Sequence, residues 1–417
     1  MKKIILLICG ILMAAYTLQA QTPLSKCPKH FVQIFQYTPA KFTLISANPD
    51  FQGLLIILPW KSVEFQKDTY YFGWIDSILN EAEKYHKKVI FQFQYKTFQG
   101  KAPIVPDYLL QDSLYHGGVA YAPDSSSVAK LWIPAVVDRL DTVLQAMANH
   151  FGSHPALEGI NFNETATYGW WLPEYHVHDF MNGIMSNIAH ARAAFPDSVF
   201  IIQYLNWLPG SGPLDSLKKN LRIIAEFTTH LTNTGFGGPD NKIQHNPPYT
   251  KLFPFQHEYD GKAVLMNATQ WSDYGYINPN TNDTVTAAEI LQYSVDSLKD
   301  DYVVWLERAP FFIQDVIPTL ALYRGLCSDS LNTGQITHPE PINCKISPNP
   351  AHDILLISGE CPPYTSYSIT DLSGRLMQSG HGRSRSIRIQ DLPEAYYLLN
   401  LYDNKRHLMA LPFFKMH

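Results

Sequence analysis

The chain has 417 residues, of which 46% are hydrophobic and 17% charged, and a formal net charge of −5. That balance excludes an intrinsically disordered chain, and the acidic excess argues against nucleic acid or an anionic membrane surface as partner. The length allows one large domain and a small one.

The first twenty residues read as an export signal. Lys2 and Lys3 form a basic start, Ile4 to Tyr16 an apolar stretch, and Ala20 closes a cleavage site, so residues 1–20 are set apart from the fold. No other stretch is apolar and long enough to span a bilayer. The mature chain is therefore expected to be exported and soluble. Cys9 leaves with the signal, and Cys27, Cys327, Cys344 and Cys361 remain in a compartment that permits disulfides. Four cysteines allow three pairings. Cys344 with Cys361 and Cys27 with Cys327 are favoured, because each pair then lies within one domain.

Strand and helix patterns alternate from there. Phe31 to Tyr37 alternates like a first strand, and Gly53 to Trp60 is an apolar run of the kind buried on both faces. Tyr71 to His86 has helical spacing, with Ile75, Ile78, Leu79 and Ala82 on one face. Lys88 to Phe98 predicts a third strand, followed by a long loop rich in Pro and Gly. Ile133 to Phe151 is strongly helical and leads into Leu157 to Glu164, a short apolar run ending in a carboxylate. Helical Tyr175 to Ala194, a fifth strand Val199 to Trp207 and helical Leu214 to Leu231 come next. Gly235 to Asp240 reads as a sixth strand or its exit, and Ala263 to Gln270 as a seventh. Thr286 with Glu289 is a capping box opening a helix to Leu298. Tyr302 to Glu307 is the eighth strand, and Phe312 to Tyr323 the closing helix.

Strands alternating with helices imply a parallel sheet. Eight units fit a (β/α)8 TIM barrel over residues 27–330. The competing open, doubly wound sheet lacks a glycine-rich phosphate loop after an early strand. Residues 331–341 read as a polar linker. Residues 342–417 show short alternating runs and no long helical period, which predicts a small all-β sandwich.

Strand tips at the C-terminal face of a barrel carry its chemistry. Glu164 stands on such a tip. Polar and aromatic residues near the strand tips complete the groove, some of them as core packing: Trp60, Tyr95, Tyr168, Trp170, Trp171, Tyr204, Asn206, Trp207, Asn267, Gln270, Trp271 and Trp305. Trp170 and Trp171, directly after the Glu164 strand, are the best stacking candidates. The histidines are scattered, with no third ligand near His176 and His178, so no metal and no cofactor are expected. No Gly-x-Ser-x-Gly elbow follows a strand.

Two resemblances add to this reading. Ser347-Pro348-Asn349-Pro350-Ala351, Tyr367 to Arg375, Ile387 to Leu399 and the basic-aromatic end Phe413 to Lys415 resemble the type A sorting domains of the Bacteroidetes type IX secretion system. The resemblance implies passage through the periplasm, export by that machinery, and release or attachment at the outer surface. Ala395 stands where the family often has Gly before a Tyr.

Gly53 to Trp60 with Glu64 and the Asp76 helix, then His154-Pro155 and Gly159 to Glu164 with its Asn163-Glu164 pair, resemble clan A glycoside hydrolases of the β-galactosidase-like kind. This likeness is diffuse and spans roughly Leu54 to Leu322. It implies a carbohydrate substrate, Glu164 as acid/base and Asn163 as a hydrogen-bonding partner of the sugar 2-OH. The clan's nucleophile belongs at the seventh strand tip, but Asn267-Ala268-Thr269-Gln270 offers no carboxylate. Glu307 is the first substitute, with Asp240, Glu258 and Asp273 behind it. A glycoside hydrolase and a glycan-binding barrel without catalysis both stay open.

Overall fold

The computed structural model describes residues 24, 26–34, 37–98, 100–239, 255–277, 282–328, 344–348, 351–359, 361, 363–371, 375–382, 384–403 and 406–416. The signal segment 1–20, the linker 331–341 and Asp240 lie outside the described residues.

Eight parallel strands close into a barrel: β1 Lys29–Ile34, β2 Gly53–Pro59, β3 Lys88–Gln94, β4 Leu157–Phe162, β5 Phe200–Tyr204, β6 Thr234–Gly237, β7 Val264–Ala268 and β8 Tyr302–Leu306. Each strand pairs with its sequence neighbours, and β8 pairs back onto β1 from Lys29↔Tyr302 to Gln33↔Leu306. Helices follow most strands: α1 Pro39–Ser46, α2 Gly73–Lys84, α3 Pro134–Phe151, α4 Val177–Ala194, α5 Leu214–Thr229, α6 Ala287–Asp296 and α7 Ile317–Ser328. The buried face of α2 is Ile75, Ile78, Leu79 and Ala82, as its spacing predicts. Reciprocal bonds between Thr286 and Glu289 open α6. The pattern did not foretell α1, whose apolar run is too short to carry a period.

Alternation sorts each barrel strand into two faces. Val32, Ile34, Val89, Phe91, Phe93, Ile160, Phe162, Val303 and Trp305 point outward and join the layer under the helices. Phe31, Leu55, Ile90, Phe200, Ile202, Tyr204, Met266, Ala268, Tyr302 and Val304 fill the axis. Ring packing is dense at the N-terminal end, where Phe200 meets Tyr302 at 4.8 Å between centroids. Gly159 makes room there, since a Cβ would lie 2.2 Å from the Phe200 ring. Towards the C-terminal ends the axis turns polar, with Gln33, Gln92, Gln94 and Asn161 buried on the inward parity.

One buried ionic network fastens the loops after β2 to α3. Glu64 is fully buried and accepts from Arg139, from Trp60 Nε1 at 3.1 Å and from Tyr108 Oη at 2.8 Å. Arg139 also binds Asp68 at 2.7 Å.

The second region is all-β. Strands β9 Cys344–Ser347, β10 Ile354–Gly359 and β13 Ser386–Arg388 form one sheet in the order β9-β10-β13. Strands β11 Ser366–Asp371, β12 Leu376–His381, β14 Ala395–Asp403 and β15 Arg406–Lys415 form another in the order β12-β11-β14-β15. Leu355, Ile357 and Ile387 from the first sheet share a core with Ile369, Leu399, Leu401 and Phe413 from the second. That is the expected sandwich. Cys344 and Cys361 are disulfide-bonded, as favoured. Cys27 is also in a disulfide, and the side chain of Cys327 lies outside the described residues.

Below β8, Asp300 is fully buried and accepts from Asn267 Nδ2 at 2.6 Å and Gln256 Nε2 at 2.9 Å. Its second oxygen, Asn267 Oδ1 and Gln256 Oε1 have no hydrogen-bond partner. Burial pushes the Asp300 pKa up to about 8. The unfolded carboxyl titrates near ~3.9. The folded state then holds the extra proton between these values, so the contribution is complete below ~3.9 and is lost as the pH rises through about 8. Asp300→Asn is expected to reduce the fall in urea midpoint between pH 5 and pH 8.5. An unchanged slope would show that Asp300 does not carry this titration.

Candidate active site at the barrel mouth

Glu164 follows β4 directly and stands at the C-terminal mouth, its side chain 14% exposed. Lys96 Nζ lies 2.6 Å from Glu164 Oε1 and donates also to the Ala166 carbonyl. Asn206 Nδ2, two residues past β5, donates to Glu164 Oε2. The carboxylate is thus held from both sides, by groups from two neighbouring strand ends.

Lys96 is only 2% exposed, and the rings of Phe98 and Tyr168 lie 4.7 and 5.2 Å from its ammonium. Its backbone is pinned by a short hairpin, Val119–Tyr121 with Ser127–Ala129, through a bridge from Lys96 to Val128. Lys96 is a site residue that its local sequence does not single out. Its signal is parity: 90, 92, 94 and 96 share a face, so Lys96 falls on the inward side beyond the strand's C-terminal end.

Asn163 is 1% exposed, and its amide serves the backbone. Oδ1 accepts from Tyr95 N at 3.3 Å, and Nδ2 donates to the Glu164 carbonyl at 3.3 Å. Gln203 Nε2 donates to the Asn163 carbonyl at 2.7 Å. Asn163 braces the Glu164 backbone instead of presenting its amide to the opening. Thr165 Oγ1 accepts from Asn206 N at 2.9 Å, which couples the β4 and β5 exits.

The other expected site residues divide by parity and burial. Trp170, Trp171 and Trp207 are exposed, at 55%, 49% and 47% of the residue surface, and Trp170 meets Trp171 edge-on at 5.6 Å. Tyr204 is inward but buried on the axis. Gln270 is half-buried and donates to the Pro239 carbonyl at 2.9 Å, joining the β6 and β7 exits. Three expected ligand contacts are corrected. Trp60 is fully buried and donates to Glu64. Trp305 is fully buried on the outward face and donates to His30 Nδ1 at 3.3 Å. Asn267 is outward too, bound to Asp300. Even-odd alternation turned the last two away from the axis.

Glu307 leaves β8 at the mouth end and pairs with Lys41 at 2.6 Å, its side chain 19% exposed. Its neighbour Arg308 instead lies over the exposed Trp271 ring, 5.0 Å from the centroid. Glu258 is held by Arg222 through two bonds of 2.7 Å, before β7 and hence at the opposite end. Asp273 is fully buried and accepts from Gln270 N in a capping box. Among the described residues no cluster of three His, Cys, Asp or Glu side chains could hold a metal ion, and no helix is long and apolar enough to cross a membrane.

Removing either partner of the Lys96–Glu164 pair leaves the other uncompensated. Breaking a buried pair costs about 3–5 kcal/mol. Glu164→Gln is expected near that range and Lys96→Met below it, because Glu164 keeps some water where Lys96 keeps almost none. Denaturant midpoints of the two variants measure this; the reverse order would overturn it.

Residues 345–410 match the family model of the secretion system C-terminal sorting domain. No curated protein matches the chain. Among solved structures the chain is similar to the catalytic domain of beta-amylase from Paenibacillus polymyxa, at 9% identity and TM-score 0.50, over 67% of this chain and 92% of that one. It is also similar to beta-galactosidase from the psychrophilic Marinomonas ef1, at 10% identity and TM-score 0.46, over 78% of this chain and 63% of that one. The chain thus spans less than two-thirds of the length of that galactosidase. A third similar structure is xylanase 10B from Thermotoga petrophila RKU-1, at 12% identity and TM-score 0.40, over 66% and 81% of the two chains. At such identities the likeness is one of fold. The chain combines a closed parallel (β/α)8 barrel, similar in fold to that beta-amylase catalytic domain, with a secretion system C-terminal sorting domain at residues 345–410.

Proposed function

We propose that the chain is an exported carbohydrate-active barrel in which Glu164 carries the acid/base step of glycosidic hydrolysis. The observation behind this is the Glu164 carboxylate at the mouth, oriented by Lys96 and Asn206, together with the exposed Trp170, Trp171 and Trp207. Aromatic faces suit the C–H faces of sugar rings, and a carboxyl group in its protonated form can deliver a proton to the leaving oxygen. Asn206 orients that group, and Trp170 with Trp171 offers a stacking surface.

Glycosidic hydrolysis takes a second carboxylate, about 5–5.5 Å away for retention or about 6.5–9.5 Å for inversion. Glu307 and Asp240 remain the proposed partners. Glu307 would first have to exchange Lys41 for substrate or water.

One observation favours a second reading, a barrel that binds glycans without cleaving them. Glu164 and Glu307 each face an ammonium at 2.6 Å, and β7 ends without a carboxylate. A general acid must carry a proton, whereas an ion pair needs the carboxylate. Hydrolysis of aryl glycosides and polysaccharides, read beside oligosaccharide binding, separates the two. On the hydrolase reading Glu164→Gln abolishes turnover and keeps binding. If the wild type cleaves nothing and binds equally with and without the substitution, the binding reading replaces it.

For localisation, we infer a periplasmic passage directed by residues 1–20 and a final export step directed by the tail. Deleting residues 342–417 is expected to trap the barrel in the periplasm. Normal levels of the truncated chain in the medium would overturn this route.

A further inference from the structure

We propose that the mouth selects a neutral, hydroxyl-rich glycan over an anionic one, and that Asn206 is the residue that reads a hydroxyl beside Glu164. This rests on the carbohydrate reading and names its ligand class.

The polar groups around Glu164 are not all paired. A carboxylate only accepts hydrogen bonds, so the Asn206 amide must turn Nδ2 toward Glu164 Oε2. That orientation directs Oδ1 elsewhere. Asn206 Oδ1 is buried and has no hydrogen-bond partner, on a residue 8% exposed. Gln33 Oε1, on the inward face of β1, is also buried and without a partner. Both atoms are acceptors, and a buried acceptor without a donor is unfavourable. A sugar hydroxyl supplies the missing O–H. A carboxylate or sulfate group brings only more lone pairs.

Charge points the same way. The Lys96 ammonium is 2% exposed and already holds Glu164 and the Ala166 carbonyl. Lys41 is engaged by Glu307. An anionic sugar entering beside Glu164 therefore meets a carboxylate whose counter-ion is occupied. Among the described residues, positive side chains further out at this end include Arg308, exposed over Trp271, and Lys101, exposed on the loop after β3. Trp170, Trp171 and Trp207 add apolar faces, which gain nothing from ligand charge.

The test uses the full chain in affinity electrophoresis and calorimetry. Neutral probes are xylan, mannan, galactan and cello-oligosaccharides; anionic probes are polygalacturonate and alginate. The expected result is affinity for at least one neutral series, little changed between low and high salt, and none for the anionic probes. Asn206→Ala should weaken neutral binding about tenfold, the equivalent of roughly 1.4 kcal/mol. If that variant fails to fold by circular dichroism, Asn206→Ser, which keeps a donor for Glu164, carries the same expectation. Tighter binding of an anionic probe overturns the selectivity and leaves the carbohydrate reading standing. Neutral binding that survives both folded Asn206 variants removes Asn206 from the reading role. Binding to neither class overturns the inference and the carbohydrate reading together.

Discussion

The constraint on which the barrel depends is that each strand has only two faces. Closure assigns one to the axis and the other to the helices, and every side chain on β1 to β8 inherits its surroundings from its parity. Phe31, Phe200 and Tyr302 fill the N-terminal end of the axis and leave no room for a side chain at Gly159. The same parity, followed upward, brings Gln33, Gln92, Gln94 and Asn161 to the axis near the mouth. An apolar plug below and a polar layer above follow from one alternation.

The mouth is organised by charges that cancel locally. Lys96 with Glu164, Lys41 with Glu307 and Arg139 with Glu64 each join residues distant in sequence. Their burial differs, and so does their consequence. Glu64 is sealed within a ring of donors, which suits a structural brace. Glu164 keeps a partly open edge, and the loops that follow β4 and β5 carry the exposed Trp170, Trp171 and Trp207. A buried ion pair offers little net stability over an apolar replacement, so its retention at a mouth is easier to understand as orientation of a carboxylate.

The sandwich solves a different problem. It is small, and its two sheets share a modest core. Small domains bury a low fraction of their surface and gain from a covalent staple. The Cys344–Cys361 bond closes a loop between positions 17 apart, worth roughly 3 kcal/mol on chain-entropy grounds. Such a bond suits an oxidising compartment on the export route.

The sequence by itself determined the order of the elements. Apolar runs separated by 3.6-period stretches are local properties, so eight strands, the α2 face and the Thr286 capping box were all legible. So was the tail, whose motifs are contiguous. Glu164 at a strand tip was legible for the same reason. Partners were not, because a side chain's neighbours come from other strands. Lys96 and Asn206 lie 68 and 42 residues from Glu164, and only closure of β3, β4 and β5 into adjacent positions brings them to it. Trp60, Trp305 and Asn267 looked like groove residues because they stand near strand tips, yet their side chains point into the helical layer or a buried network. Proximity to a tip is written in the chain; the direction a side chain takes there is decided by parity, tilt and the packing of the strands on either side.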